Sequence, residues 1–398
     1  MNQPHSPTRP LRLRSVDIAR GLIMVLMAID HVRVFAGVPA GGATAALFVT
    51  RWLTHFCAPG FVFFAGTAAY LHGVALRDRG ALSRFLAVRG LWLVLLELTF
   101  MRWAWTFNAD LLNYNLAGVL WMIGWCMGAL ALIMWLPFGV IVAVGAAIVV
   151  GHNLVDPSVR SMIQGLGHEP LRGLWQVLYF GGAFRLGESG PRLVVLYSLL
   201  PWVGVMSVGY AFGRVMTWPD AERRRACLVA GLGAIGLFVL LRTFNIYGDP
   251  RPWSAPQGPA ALAAPLSFLN TTKYPASLLF LLMTLGPLVA ALPALEHLRG
   301  RIAGVLEVFG RVPLFYYILH IPLIHLVAIG MSLVRTGEVT PWLFTNHPME
   351  PPPPPTGYMW SLPLLYAVTA GVVCMLYFAC RWYADLKRRS PVWWLRLV

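Results

Sequence analysis

Long apolar runs separated by short polar segments make up most of this chain. A helix needs about 20 mainly apolar residues to cross the hydrocarbon core of a membrane. On that measure we predict ten membrane-spanning helices, the fifth of which is short and is separated from the fourth by a turn at Pro137. They lie near residues 15–36, 57–76, 86–106, 116–135, 138–152, 193–214, 226–243, 274–293, 312–333 and 360–382.

The positions of the basic residues predict the topology. Arginines cluster at residues 9–20, 77–89, 214–225 and 299–311 and in the C-terminal tail, which fall on the same side of alternate spans. Because cytoplasmic loops carry an excess of Lys and Arg, both termini are expected in the cytoplasm, with tails over 1–13 and 383–398. The first apolar run resembles a secretory signal peptide, but charged residues interrupt it before any cleavage site, so we interpret it as a retained helix.

Composition supports the same class. Of the 398 residues, 58% are hydrophobic and only 12% are charged, and the mean hydropathy is +0.66. Soluble domains carry roughly 25% charged residues. We therefore predict an all-α, polytopic integral membrane protein, one domain over 1–398, in contact with membrane lipids.

Two other functional classes are not favoured. The net charge of +15 does not predict nucleic-acid binding, because no basic stripe interleaves with stacking aromatics. The five cysteines have no CxxC spacing, so neither a disulfide framework nor a metal site is expected. The loop at 334–359 contains the run MEPPPPPTG, which favours an extended spacer rather than a helix.

The first predicted helix carries most of the candidate chemistry. Asp17, Arg20 and His31 fall on one helical face, and ionisable groups inside a membrane segment mark a site by default. We interpret Asp17 and Arg20 as a structural ion pair at the cytoplasmic end. Near the outer end, Asp30 can reach Arg33 at i+3.

Polar residues elsewhere at the outer side are further candidates. A Gly/Ala-rich loop follows the first helix, and the next helix opens with Arg51 and His55. His31, His55 and Asp30 could converge on one pocket, where a histidine is suited to take a proton near neutral pH; structural, hydrogen-bonded histidines are the alternative. The group Asn270, Lys273 and Tyr274 precedes the eighth span and either binds an anionic or carbonyl group or serves as ordinary capping with a snorkelling lysine. His320, near mid-membrane, is either a structural histidine or a contact for substrate or proton.

Several stretches of the chain resemble a known family. They are RLRSVDIARG followed by the Asp30-His31 pair, THFCAPGFVFFAG, LNTTKYPASLL and FYYILHIPLIH. Together they resemble the heparan-α-glucosaminide N-acetyltransferase catalytic-domain family, in its bacterial branch within the transmembrane acyltransferases. The resemblance covers most of the chain and is strongest over residues 11–76 and 265–326.

The resemblance implies transfer of an acetyl group from cytosolic acetyl-CoA to a sugar or glycan acceptor on the far side of the membrane. The family's eukaryotic enzyme uses a histidine in the first outer loop, but residues 37–50 contain none here, so His31 or His55 is the expected general base. Asp30, where that enzyme has asparagine, would orient the imidazole. The expected substrate-binding residues are Arg33, Arg51, Asn270, Lys273, Tyr274 and His320.

The resemblance to the bacterial branch implies a bacterial inner membrane as the location. The sequence leaves the oligomeric state open, and a homodimer is one candidate. Two other functions compete with acetyl transfer. A proton-coupled transporter or flippase for a sugar or lipid-linked substrate could use the same buried charges as a proton relay. A non-catalytic scaffold is the third, although it gains nothing from the cost of burying those charges.

Overall fold

The computed structural model describes residues 13–40, 44–155, 169–254, 263–390 and 392. Helices form most of this part of the chain, with a π-helical turn at Glu97–Met101, another at Gln176–Phe180, and short 3-10 turns at His152–Val155 and Pro341–Phe344. The α-helices are α1 Arg14–Phe35, α2 Ala45–Thr54, α3 Cys57–Leu76, α4 Arg79–Leu96, α5 Arg102–Thr106, α6 Val119–Ile133, α7 Phe138–Gly151, α8 Glu169–Trp175, α9 Leu199–Val215, α10 Asp220–Thr243, α11 Ala264–Phe268, α12 Leu278–His297, α13 Arg301–Arg311, α14 Pro313–Thr336 and α15 Leu362–Arg389.

The hydropathy of these helices confirms the all-α polytopic prediction. Within the described ranges, six helices are long and apolar enough to cross a membrane: the run Ala45–Leu76, then Phe138–Val155, Asp220–Thr243, Leu278–His297, Pro313–Thr336 and Leu362–Arg389. Two shorter apolar helices are α6 and α9. The two remaining predicted spans correspond to α1 and to α4 with its continuation through α5, which carry more charge. The number of spans and the side of each terminus stay predictions.

A small sheet was not predicted. Its strands are β1 Asn115–Ala117, β2 Gly182–Arg185 and β3 Arg192–Val195, in the order β1-β3-β2. Strand β1 pairs parallel with β3, with Leu116 opposite Val194, and β2 pairs antiparallel with β3. The strands take up the starts of two predicted spans, so the helices there begin later, at Val119 and Leu199.

Helix α1 lies at the centre of the bundle, packed against α2, α3 and α12 to α15. Its closest neighbour is α13, and glycines make that approach possible. A methyl group at Gly21 would lie 1.9 Å from the carbonyl oxygen of Leu306, and one at Gly310 would lie 1.8 Å from that of Asp17. Small residues allow backbones to meet in this way inside membranes.

A second close seam joins α3 to α9. A methyl group at Gly66 would lie 2.1 Å from the carbonyl oxygen of Met206, and one at Gly209 would lie 2.2 Å from that of Phe63. Thr67 donates a hydrogen bond across the seam to the carbonyl oxygen of Gly209 at 3.0 Å. The small residues of α3 and α9 therefore let the two backbones approach closely.

Candidate active site

Two histidines from distant parts of the chain meet inside the bundle. Nδ1 of His31, on α1, lies 2.6 Å from Nε2 of His320, on α14. The other ring nitrogen of His320 lies 2.5 Å from the carbonyl oxygen of Tyr317, one turn earlier on the same helix. The ring of Trp105 packs edge-on against His31, with ring centroids 4.9 Å apart. Both imidazoles are thus held in defined orientations.

Asp30 pairs with Arg33, as their i+3 spacing predicts, and not with the imidazole of His31 that it was expected to orient. Arg33 binds it through two nitrogens, Nε and Nη2, each 3.0 Å from Oδ1. Arg33 also donates to the carbonyl oxygen of Val38 at 2.8 Å and is only 9% exposed. In the part of the chain that the structure describes, the hydrogen-bond partner of His31 is His320 rather than Asp30. Asp30 therefore interacts with His31 through its nearby negative charge, whereas His320 holds the ring through a hydrogen bond.

A cavity of about 630 Å³ opens beside these groups, and we call it the His31 cavity. Besides His31 it is lined by charged, aromatic and proline residues from several elements. Those used below are Asp30, Arg33, Glu97, Trp105, Tyr197, Lys273, Tyr274, Tyr317, Trp342, His347, Glu350 and Pro351–Pro354.

Lys273 and Tyr274 enter the cavity on a short segment that precedes α12. The carboxylate of Asp249 secures this segment at both ends, because it accepts hydrogen bonds from the backbone N–H of Thr272 at 2.8 Å and from the hydroxyl of Ser277 at 2.9 Å. Burial acts to lower the pKa of Lys273, but the neighbouring Tyr274 and Asp30 outweigh it and raise that pKa above its ordinary value. Lys273 is therefore an ammonium group at neutral pH and serves as a cation rather than a base.

Residues 341–360, which we call the roof, cover the cavity. The indole N–H of Trp342 donates to the carbonyl oxygen of Pro352 at 2.9 Å. The hydroxyl of Tyr358 donates to the carbonyl oxygen of Phe35 at 2.8 Å, and the backbone N–H of Trp360 donates to that of Ala36 at 3.0 Å. The polyproline run, interpreted from sequence as a spacer, therefore belongs to a segment that is attached to the end of α1 and lines the cavity.

The remaining predicted site residues lie elsewhere. His55 is 2% exposed, packs edge-on against Phe280 with ring centroids 5.4 Å apart, and is not among the residues that line the His31 cavity. Its two ring nitrogens have no hydrogen-bond partner within the described ranges. Arg51 and Asn270 are also outside the cavity lining; the carbonyl oxygen of Asn270 accepts from Arg242 at 3.0 Å.

The sequence did not predict Glu97 as part of this cavity wall. Glu97 is 1% exposed and accepts a hydrogen bond from the backbone N–H of Leu120 at 3.0 Å. It thereby caps the N-terminus of α6. The π-helical turn that begins at Glu97 is a type of irregularity often found at functional sites.

A second cavity of about 320 Å³ lies along the other half of α1, and we call it the Arg89 cavity. Asp17 and Arg20, which lie 3.8 Å apart across their ion pair, are in its wall together with Arg89 and Arg311. The two cavities share three lining residues: Phe61, Val119 and Tyr317. Because these three residues line both cavities, they form the partition between them.

Comparison with known proteins identifies a family. Residues 12–241, more than half of the chain, match the family model described as heparan-alpha-glucosaminide N-acetyltransferase, catalytic. The match includes α1, the residues of the His31 cavity wall that precede residue 242, and most of the wall of the Arg89 cavity. A search of the curated proteins gives no significant match.

Proposed function

Since this chain belongs to the heparan-alpha-glucosaminide N-acetyltransferase catalytic family and is a membrane acetyltransferase, we propose that it carries an acyl group from acyl-CoA to a sugar or glycan acceptor, with His31 as general base. The observation that carries the proposal is the position of His31 in the wall of a large cavity, with its Nδ1 held by His320. Because Nδ1 is engaged in this way, Nε2 is the ring nitrogen that we propose meets the acceptor.

In the proposed reaction, Nε2 of His31 takes the proton of the acceptor hydroxyl or amine. The acceptor atom then forms a bond to the thioester carbonyl carbon, the carbon–sulfur bond breaks, and the departing thiolate recovers the proton from His31. General-base catalysis of this kind contributes roughly 10²- to 10⁴-fold. Lys273, an ammonium group in the same cavity, stabilises the oxyanion that develops on the carbonyl oxygen.

The wall of the His31 cavity suits a sugar. Trp105, Tyr197, Tyr274 and Trp342 offer aromatic surface, and carboxylates at Asp30 and Glu350 can accept hydrogen bonds from hydroxyl or amino groups. Glu350 is itself fixed by Arg192, 2.5 Å away on β3. The acceptor is therefore proposed to bind here, under the roof.

The Arg89 cavity suits the donor. Arg20, Arg89 and Arg311 line it, and guanidinium groups pair well with phosphates such as those of coenzyme A. If the donor binds there, its acyl end reaches His31 by passing Phe61, Val119 and Tyr317. We therefore propose that acyl-CoA binds from the cytoplasmic side and the acceptor from the outer side of a bacterial inner membrane, which is consistent with the predicted cytoplasmic termini.

The direct test uses purified protein in lipid nanodiscs with radiolabelled acetyl-CoA and a panel of amino sugars and hydroxylated glycans. His31→Gln is expected to lower transfer at least 100-fold. His297→Gln, which removes an exposed histidine at the end of α12, is the matched control and should transfer normally. Full activity in His31→Gln, or loss of transfer in His55→Gln alone, contradicts the assignment of the base. Release of acceptor across sealed vesicles without acetyl transfer would instead support a transporter.

A further inference from the structure

We infer that His320 is a positioning residue that decides which ring nitrogen of His31 carries the proton. The inference rests on the proposed function, because it concerns the base of that reaction. Nδ1 of His320 lies 2.5 Å from the carbonyl oxygen of Tyr317. A carbonyl oxygen can only accept a hydrogen bond, so this nitrogen must carry a proton and donate it.

The protonation of both histidine rings follows from that one hydrogen bond. In a neutral imidazole with Nδ1 protonated, Nε2 has a lone pair and is an acceptor. Nε2 of His320 lies 2.6 Å from Nδ1 of His31, so His31 must donate from Nδ1. Its own proton is then on Nδ1, and Nε2 of His31 keeps the lone pair that a general base needs. A backbone carbonyl on α14 thus sets the protonation of a residue on α1.

The surroundings of His320 hold this arrangement in place. The residue is 0% exposed, and its ring lies between those of Tyr316 and Tyr317, with centroids 5.6 Å and 5.1 Å away. A ring flip would put carbon atoms opposite both partners and leave two buried polar groups unpaired, at about 1–3 kcal/mol for each. The hydrogen-bond partners of the two ring nitrogens of His320 are His31 and the carbonyl oxygen of Tyr317, neither of which is a carboxylate, so the neutral form is favoured there.

The same contact supports the reaction after proton transfer. When Nε2 of His31 takes the acceptor's proton, the ring becomes an imidazolium, and its Nδ1–H then makes a charge-assisted hydrogen bond to His320, which is stronger than a neutral one. The logic is that of a catalytic triad, in which a third group fixes the tautomer of the base and stabilises its charged form. Here a neutral histidine takes the place that is usually held by a carboxylate.

Three variants test the inference. His320→Phe keeps a ring of similar size but removes both nitrogens, and is expected to lower kcat roughly 10- to 100-fold with little change in KM. His320→Gln can place its amide oxygen near the former Nε2 and accept from His31, so it should recover most of the lost kcat. His325→Phe is the matched control: His325 is also buried on α14 and bonds a backbone carbonyl, that of Ala104 at 3.1 Å, but it does not contact His31. It should melt at lower temperature and keep its kcat.

A spectroscopic readout separates this inference from the proposed function. In protein labelled with ¹⁵N-histidine, the His31 signals, assigned with His31→Gln, should show protonated Nδ1 and unprotonated Nε2 in the parent and a mixture in His320→Phe. A protonated Nε2 in the parent overturns the inference whatever the activity, as does a folded His320→Phe enzyme with full kcat or a His320→Gln enzyme no faster than His320→Phe. If instead His31→Gln is fully active while the tautomer is as stated, the proposed function fails and the hydrogen-bond assignment stands.

Discussion

The contact between α1 and α13 predicts opposite effects for the same substitution at two glycines of one helix. In Gly310→Ala the new methyl group would lie 1.8 Å from the carbonyl oxygen of Asp17, whereas at Gly304 nothing lies within 4 Å. Ordinary contact begins at 3.4 Å, so α13 would have to retreat by roughly 1.6 Å. Because the obstacle is backbone, rotation of a side chain cannot relieve it, and overpacking of this kind costs about 1–3 kcal/mol.

At Gly304 the same change should stabilise the protein. An exposed glycine inside a helix costs about 0.5–1 kcal/mol relative to alanine, because it loses more backbone freedom on folding. The two variants should therefore differ by about 1.5–4 kcal/mol, which is a factor of roughly 10 to 10³ in the folding equilibrium at 1.4 kcal/mol for each tenfold change.

Thermal unfolding, followed by intrinsic fluorescence in one detergent at one scan rate, measures this difference. The expected order of melting temperatures is Gly304→Ala, then the parent, then Gly310→Ala. A Gly310→Ala protein that melts at or above the parent would refute the close approach of the two helices. A Gly304→Ala protein that melts well below the parent would show that this side of α13 has a partner, such as a second copy of the chain.

Three further predictions concern the His31 cavity. Asp249→Ala removes the acceptor that secures the Lys273 segment and should lower kcat several-fold in the transfer assay, while Asp249→Asn should lower it less; equal kcat in both would contradict the positioning role. Phe61→Ala widens the partition between the cavities and should favour a longer acyl chain. The ratio of kcat/KM for butyryl-CoA to that for acetyl-CoA should rise about fourfold for each methylene accommodated, at about 0.8 kcal/mol per buried methylene. An unchanged ratio would place the acyl path elsewhere. Burial lowers the pKa of His347 to about 4, with a smaller contribution from His325, so the closed roof binds fewer protons than an open one. The stability that neutral His347 gives to the closed roof should be fully present above pH 6.5 and should be lost as the pH falls towards 4. Over that range the melting temperature of the parent should fall relative to that of His347→Phe. Parallel curves of melting temperature against pH would refute the effect.

Local patterns were sufficient for the helices and for contacts within one helix. Hydropathy located the apolar segments, and the i+3 spacing of Asp30 and Arg33 indicated a pair that lies 3.0 Å apart. His55 shows where a local pattern fails. The sequence predicts it at the opening of the second helix, beside His31, whereas α2 ends at Thr54, α3 begins at Cys57, and the ring of His55 between them packs against Phe280.

Contacts between distant segments could not be predicted in this way. His31 and His320 are 289 positions apart, and neither has a neighbour in sequence that indicates the other. Strand β1 has only three residues and pairs with a strand that begins at Arg192, so its pattern is too short to recognise. The roof is attached to the end of α1 by two hydrogen bonds and to β3 by the ion pair of Glu350 with Arg192, and these contacts depend on the tertiary fold rather than on composition.

The charges on α1 have a consequence for the biosynthesis of the protein. Arg14, Asp17, Arg20, Asp30 and Arg33 all lie within it, and a charged residue at the centre of a helix costs about 2.5–3.5 kcal/mol on insertion, and less near the ends. Its main packing partner, α13, begins 266 residues after α1 ends at Phe35 and is followed by α14, which supplies His320. We therefore expect α1 to leave the ribosome as a poor membrane anchor and to settle only when the last third of the chain arrives. The helix that holds the proposed base is therefore one that the bilayer accepts poorly on its own.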